Sequence, residues 1–455
     1  MITLETVLKA TKGTTQLQGG IEFTGITTDS RSIKPGELFV ALKGEKFDGH
    51  TYCKKALQDG ARAVLVENLN EIEEDKAIVV KDTLRAYQEI AHAYRMSNKK
   101  LKVVAITGSN GKTSTKDLIA ACLASKYNVT KTQANFNNEI GLPKTLLSVT
   151  EKTDIAVVEM GMRGLGQIRA LKALAKPDVV VITNVGETHM ELLGSMDNIA
   201  KAKSEILEDL TAENTAVLNG DDPYVSKMKT NAKTVTYGII KGNILQGMNL
   251  EISGNGTTFS YQSGITKATK NVAMPLIGKH NVMNALAAIA VAEVFNVSDE
   301  DIVGALNGAL LTEKRQEVLH FGKVTAINDA YNASPASMET GLETLKKVVE
   351  AQKKGRAVAV LADMLELGAS SLNAHKKVGE WAAKNGVKLL ITYGTESKAT
   401  YEAAKNKGVA SFYCKNKEEA ATILKDNLQD NDVILFKGSH SMEVDKVIDL
   451  ALKDK

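Results

Sequence analysis

Short apolar runs alternate with amphipathic stretches along almost the whole chain, and the change of period marks where strands and helices belong. In the first hundred residues, β-type runs occur at Phe23–Thr28, Leu38–Leu42, Ala63–Val66 and Ala77–Val80, with helical spacing at Tyr52–Gln58 and Leu84–Met96. The polar stretch Ser97–Lys100 reads as a linker. A second block follows, with parallel-type runs at Val103–Ile106, Ile155–Glu159, Val179–Thr183 and Ala216–Leu218, separated by helical segments. Gly242 to Met274 is rich in Gly and Thr and reads as an antiparallel appendage, after which a helix is expected over Val282–Val294. A third block shows runs at Val324–Ile327, Ala357–Leu361, Leu389–Thr392, Ser411–Tyr413 and Val433–Phe436, alternating with helices. That alternation predicts a doubly wound parallel sheet.

Composition narrows the class. At 455 residues the chain is too long for one ordinary core, and 43% hydrophobic with 24% charged residues describes an ordinary globular protein. A net charge of +3 and only 5% aromatics give neither a basic face nor a stacking platform for nucleic acid, so none is expected as a partner. Met1–Ala10 carries Glu5 and Lys9 and lacks an apolar core, unlike a secretory signal. The longest apolar run, Leu286–Phe295, is interrupted by Glu293 and is too short to span a bilayer. Three widely spaced cysteines (Cys53, Cys122, Cys414) show no metal-type pairing, and a cytoplasmic location is expected.

The chemistry concentrates where an apolar strand runs into Gly108-Ser109-Asn110-Gly111-Lys112-Thr113-Ser114 and then a helix-forming stretch. Such a turn aims backbone N–H groups and a helix N-terminus at a phosphate. Lys112 can reach the β- and γ-phosphates, and the Thr113 hydroxyl can hold Mg²⁺. Ile106 stands where the longer phosphate-loop pattern has glycine, so this is a short variant. The alternative is a glycine-rich turn with a solvated lysine.

Other candidates follow from the rule that ligands collect beyond the carboxyl ends of parallel strands. Glu159 ends its run and should share the rim with the phosphate loop, as a Mg²⁺ ligand or a mere strand cap. His189 lies in the loop after Val179–Thr183, where a solvated imidazole is the ordinary alternative. Lys203 sits on a helix, where solvation is the default. Asn135, Asn137 and Asn138 form an amide-rich loop suited to phosphate or peptide groups, or simply to turns. Asn281 and Asn284 stand at i and i+3 at a helix start, either as caps or as readers of an adenine edge. Arg315 lies at the junction of the second and third blocks, where a cation could swing onto phosphate or remain on the surface. Asp329 occupies a rim position suited to ribose hydroxyls.

Taken together these segments resemble the Mur ligases, ATP-dependent amide-forming enzymes of peptidoglycan precursor synthesis. The resemblance implies an α/β fold of three domains: a small N-terminal α/β domain (1–98) for a UDP-linked substrate, a central P-loop ATPase domain with a parallel sheet (99–311), and a C-terminal Rossmann-like domain (312–455) for the amino substrate and further ATP contacts. It assigns Gly108 to Ser114 to the triphosphate, Asn281 and Asn284 to adenine, Arg315 to ATP and Asp329 to ribose. Thr113, Glu159, His189 and Lys203 become the residues of two Mg²⁺ sites, with Lys203 at the position that the family carbamylates. Thr28-Asp29-Ser30-Arg31 and Asp48-Gly49-His50 resemble the uridine-nucleotide region, giving Ser30, Arg31 and Asp48 as substrate residues beside Asn135, Asn137, Asn138, Tyr331 and Asn332.

Three stretches, Asn328–Pro335, Leu361–Gly368 and Phe436–Met442, resemble most the family member that joins D-alanyl-D-alanine to UDP-N-acetylmuramoyl-tripeptide. His440 departs from that pattern, which carries arginine there. The implied chemistry is phosphorylation of the tripeptide carboxylate, attack by the dipeptide amine and release of ADP and phosphate by a monomeric enzyme, with Lys112, His189 and a carbamylated Lys203 as the catalytic residues. The alternatives are a sister ligase that adds the third residue, a folylpolyglutamate synthase with the same core, or a nucleotide-driven switch.

Overall fold

At Leu38–Val40 and Ala63–Val66 every residue is apolar, and successive side chains of a strand point to opposite faces. Both faces are covered. Leu38, Val40, Ala63, Leu65 and Ile78 join a core with Val7, Tyr87 and Ile90, while Phe39, Ala41, Val64, Val66 and Ala77 join another with Cys53 and Ala56. Burial on two faces explains why these strands read as unbroken apolar runs rather than as alternation.

A computed structural model describes residues 2–45, 47–70, 72–311 and 314–453, so the expected start of a third domain at Thr312 lies outside the described residues. The chain forms two compact units: residues 1–105, 127–161 and 167–178 make the first, and 106–126, 162–166 and 179–455 the second.

In the first unit a five-stranded sheet has the order Thr14–Thr15, Ala77–Val79, Ala63–Val66, Leu38–Val40, Ile26–Thr27; the first pairing is antiparallel and the rest parallel. The run expected as one strand over Phe23–Thr28 is instead two short strands. Glu22–Phe23 pairs with Ile2–Thr3, and Ile26–Thr27 pairs with Leu38–Val40. The helix Thr83–Ser97 packs on Leu4–Thr11, Gly141–Leu147 and Gln167–Ala175. Val129–Lys131 pairs in parallel with Ile155–Glu159.

The strand Lys102–Thr107 carries the chain into the second unit. There Val179–Ile182, Thr215–Asn219, Lys233–Gly238 and Leu245–Ser253 pair in parallel, and Gly256–Ser263 and Thr269–Met274 add antiparallel strands. The Gly- and Thr-rich stretch is therefore antiparallel as expected, but it continues the parallel strands through Leu245–Ser253 rather than standing apart. The helix Lys112–Ala124 packs against Lys279–Val294, which is buried from Val282 to Glu293 apart from Met283. A helix apolar on all sides shows no amphipathic period.

A six-stranded sheet completes this unit in the order Glu317–Phe321, Val324–Asn328, Val433–Lys437, Ala357–Ala362, Val387–Tyr393, Ala410–Cys414. It is parallel except for the edge pair Glu317–Phe321 with Val324–Asn328, an edge strand the apolar pattern did not reveal. Ile327, Ala359, Leu361 and Leu435 face one core, and Ala326, Val358, Val360 and Phe436 face the other. Among the described residues no helix is long and apolar enough to cross a membrane.

Candidate active site

Two glycines shape the turn between Thr107 and Lys112. Gly108 has φ +151° and Gly111 φ +80°, and a Cβ would stand 1.8 Å from Thr183 Oγ1 at the first and 2.6 Å from Asn284 Oδ1 at the second. Only a residue without a side chain fits either position. The loop is fastened from behind by the segment after Val179–Ile182. Ser109 N donates to Asn184 O (2.9 Å), Asn110 N to Asn184 Oδ1 (2.9 Å), and Thr183 Oγ1 to Asn110 O (2.7 Å). Ser109 Oγ donates to Gly186 O (2.9 Å) and accepts from Gly186 N (2.8 Å). Thr183, Asn184 and Gly186 were passed over in the sequence; only the neighbouring His189 had stood out. The helix that begins at Lys112 has no side-chain cap, and Lys112 Nζ donates to Gly108 O (2.8 Å) and Ser109 O (3.2 Å), over its own loop.

Arg315 closes on this loop. Its Nη2 donates to Thr113 Oγ1 at 2.8 Å, its guanidinium carbon stands 3.9 Å from the centroid of the Tyr331 ring, and its buried Nε has no hydrogen-bond partner among the described residues. Ser334 Oγ donates to Asn110 Oδ1 at 3.0 Å. An orphaned guanidinium N–H above a cradle that has no room for a Cβ fits a phosphate-bearing ligand. The surface alternative for Arg315 is thereby displaced.

His189 has φ +56°, and its Nδ1 lies 2.6 Å from Glu366 Oε2. Burial, with the charges of Lys112 and Lys203, pushes its pKa down, against the pull of Glu366. Lys203 is only 2% exposed, so the default of a solvated lysine does not hold. Burial first, and the charge of Lys112 second, hold its pKa well below the ordinary lysine range. A neutral amine is what reaction with carbon dioxide requires, so the residue fits carbamylation. Glu159 ends its strand in the first unit, 3% exposed, and accepts from Asn137 Nδ2 at 2.8 Å. Among the described residues no cluster of three or more His, Cys, Asp or Glu side chains forms a metal cage. In the second unit a hydroxyl, an imidazole and a modifiable lysine instead suit Mg²⁺, which keeps few protein ligands and relies on phosphate and water.

Behind the same loop, Asn281 and Asn284 are 2% and 7% exposed. Asn281 donates to Ile277 O (3.0 Å) and accepts from Asn284 Nδ2 (3.3 Å), while Asn284 Oδ1 accepts from Thr115 Oγ1 (3.1 Å). Asn284 thus braces the helix that begins at Lys112, and Asn281 holds Asn284. Asp329 accepts from Lys437 Nζ at 2.7 Å. Beside this pair sits His280, which burial keeps neutral by pushing its pKa down to about 4, with Asp329 pulling the other way.

In the first unit a cleft of about 560 Å³ is lined by Ser30, Arg31, Asn135 and Asn138 together with Thr28, Asp29, Phe47, Tyr52, Phe136 and Lys144. Arg31 grips Asp29 through Nε and Nη2 (2.8 Å each), which holds the Asp29 carboxyl well below the usual range. Phe47 and Tyr52 stack at 5.9 Å, and Lys144 Nζ stands 4.4 Å from the Phe136 ring centroid. Four expected members do not line it; Tyr331 and Asn332 belong to the second unit, where Tyr331 lies against Arg315 and Asn332 O accepts from Lys437 Nζ. Asp48 caps the turn Gly49–Tyr52 and accepts from His50 N (3.0 Å) and pairs with His50 Nδ1 (2.7 Å), and Asn137 is taken up by Glu159. Phe47, Tyr52 and Lys144 carried no motif in the sequence.

Comparison with known proteins agrees along the length of the chain. The description "Mur ligase family, catalytic domain" matches residues 22–99, "Mur ligase middle domain" residues 106–292, and "Mur ligase, glutamate ligase domain" residues 314–440. The UDP-N-acetylmuramoyl-tripeptide–D-alanyl-D-alanine ligase of Bacillus subtilis is 39% identical over 430 residues, covering 93% of this chain and 92% of that protein. The enzyme of the same name from Escherichia coli is 34% identical over 95% of each. A crystal structure of MurF from Acinetobacter baumannii superposes with a TM-score of 0.91 at 29% identity, covering 99% of this chain and 98% of that one. MurF ligase from Thermotoga maritima, solved in complex with ADP, gives 0.84 at 26% identity over 96% and 99%. The chain belongs to the Mur ligase family.

Proposed function

We propose that this chain joins D-alanyl-D-alanine to UDP-N-acetylmuramoyl-tripeptide, forming an amide with conversion of ATP to ADP and phosphate, as a cytoplasmic monomer in peptidoglycan precursor synthesis. The observation that carries the reading is the Arg315 guanidinium seated on Thr113, with an orphaned N–H, over a loop that excludes side chains. Relatives of that printed name, matched over nine-tenths of the chain, support the substrate pair over a sister ligase or a switch. Functional divisions at 1–98, 99–311 and 312–455 are supported by the three matched segments.

A carboxylate is a poor electrophile. In this reading its oxygen attacks the γ-phosphorus of ATP, ADP leaves, and the dipeptide amine attacks the acyl phosphate and expels phosphate. The amides of Gly108–Thr113 and the Lys112 ammonium bind the triphosphate, and Arg315 neutralises charge on the transferring oxygens. Mg²⁺, at one or two positions, would be held by Thr113, His189 and carbamylated Lys203, with Glu159 assigned by resemblance, and would supply charge neutralisation on the phosphates. Asn281, Asn284 and Asp329 serve the nucleoside. The first unit's cleft suits a uridine nucleotide: the Phe47–Tyr52 pair offers an aromatic face, and Arg31 and Lys144 supply cations.

The test is phosphate release with each substrate withheld in turn. Release should require ATP, the UDP-tripeptide and D-alanyl-D-alanine together. ATP hydrolysis indifferent to the peptides would favour the switch.

A further inference from the structure

The segment Phe436–Met442 drew attention in the sequence without receiving a role, and the structure places a fully buried lysine in it. The register of Val324–Asn328 against Val433–Lys437 pairs Asn328 with Phe436, so the residues that follow, Asp329 and Lys437, emerge side by side at the carboxyl ends of two parallel strands. Lys437 is 2% exposed. Its ammonium has three donors and three acceptors: Asp329 Oδ2 at 2.7 Å, Asn332 O at 3.0 Å and Asp329 O at 3.4 Å. A buried ammonium this well satisfied fixes geometry, whatever it contributes to stability.

Two things are held by that one group. Asp329 is turned so that Oδ2 faces the lysine, and Oδ1 has no protein partner among the described residues. The turn Asp329–Asn332 is gripped at both ends, and it carries Tyr331, whose ring lies against the Arg315 guanidinium that reaches Thr113. The helix Pro335–Gln352 makes room for the lysine stem with a glycine. A Cβ at Gly341 would stand 3.3 Å from Lys437 Cδ and 3.6 Å from Asp329 Oδ2. Glycine is a poorer helix former than alanine, so the space comes at the helix's expense.

We infer that Lys437 is a positioning residue for the nucleotide: it aims Asp329 Oδ1 at a ribose hydroxyl and holds the Tyr331 platform that sets Arg315 over the phosphates. This rests on the ATP-dependent reading above and names the residue that organises its nucleoside end. Asp329 touches the sugar; Lys437 acts through it.

The experiment compares ATP with 2′- and 3′-deoxy-ATP in the complete three-substrate assay, for the wild-type chain and Lys437→Met. The variant should raise KM for ATP about tenfold or more and bring the preference for ATP over the deoxy nucleotides close to one, while KM for the dipeptide stays unchanged. A general loss of structure would not erase ribose preference selectively. Lys437→Gln keeps most of the stem and a donor for the Asn332 carbonyl, and it is the variant read if Lys437→Met loses the circular dichroism of the fold. A variant that keeps the wild-type ribose preference overturns the inference, as does a wild-type enzyme that uses the deoxy nucleotides as well as ATP. A wild-type chain that releases no phosphate with all three substrates present instead removes the functional reading itself, so the two failures are distinct.

Discussion

Between Gly108 and Lys112 the chain offers a ligand its backbone, whereas the cleft around Arg31 offers side chains brought from separate segments at 28–31, 47–52 and 135–144. The first device is rigid before any ligand arrives, because Thr183, Asn184 and Gly186 fasten the loop with five hydrogen bonds. The second is open, and its groups come from different kinds of element: Arg31 and Phe47 from loops, Tyr52 from the turn Gly49–Tyr52 and Lys144 from the helix Gly141–Leu147. A loop of amides serves any phosphate and tolerates little change, since each glycine is pinned by a neighbour's oxygen. A cleft of side chains tolerates single losses and carries the selectivity for one substrate.

The comparison breaks most sharply at Lys112. We predict that Lys112→Ala lowers ADP formation by at least about a thousandfold with an unchanged thermal transition, because in the proposed reaction it removes the ammonium that binds the triphosphate and nothing from the core. Normal turnover would take the loop out of the mechanism. Next comes Lys203→Ala, expected to be nearly inactive and partly restored by small carboxylic acids added to the assay. Full activity without them would return Lys203 to a packing role. A smaller effect is expected in the first unit: Tyr52→Ala should raise KM for the UDP-tripeptide by about tenfold through loss of the stack on Phe47, with kcat and KM for ATP unchanged. Equal losses for ATP and UDP-tripeptide would erase the division of labour.

The smallest effect on turnover serves as a control outside both sites. Glu293 is buried, with Oε1 unpartnered among the described residues, and burial pushes its carboxyl from 4.5 up to about 7. The unfolded chain ionises it first, so its contribution to stability is complete below about pH 4.5 and is lost as pH rises toward 7. Glu293→Gln should flatten that part of the pH dependence of the melting temperature and leave activity alone. An unchanged slope would show that other groups dominate it.

Much of the second unit was legible because its signals are local. A phosphate loop is six residues in a row, and the parallel strands are runs buried on both faces, from Val179–Ile182 to Val433–Lys437. The cleft was half legible. Ser30, Arg31, Asn135 and Asn138, singled out in the sequence, line it, but Phe47, Tyr52 and Lys144 join them only because chain segments about 85 residues apart are folded together. Asp48 was misplaced because an aspartate before Gly-His is equally suited to cap a turn, and here it does so. Lys203 looked solvated because helical spacing tells which residues share a face and not what covers that face.

By itself the order of residues determined the α/β class, the phosphate turn and the family, since strand runs, glycine spacing and contiguous motifs are properties of neighbours along the chain. Only the tertiary structure decided which charges are buried and against what: Lys437 on Asp329, Arg315 on Thr113 and Tyr331, and His189 on Glu366. The partners in each of these pairs are at least sixteen residues apart. Their protonation and aim depend on the surface that burial strips of water, and that surface exists only once distant segments have packed.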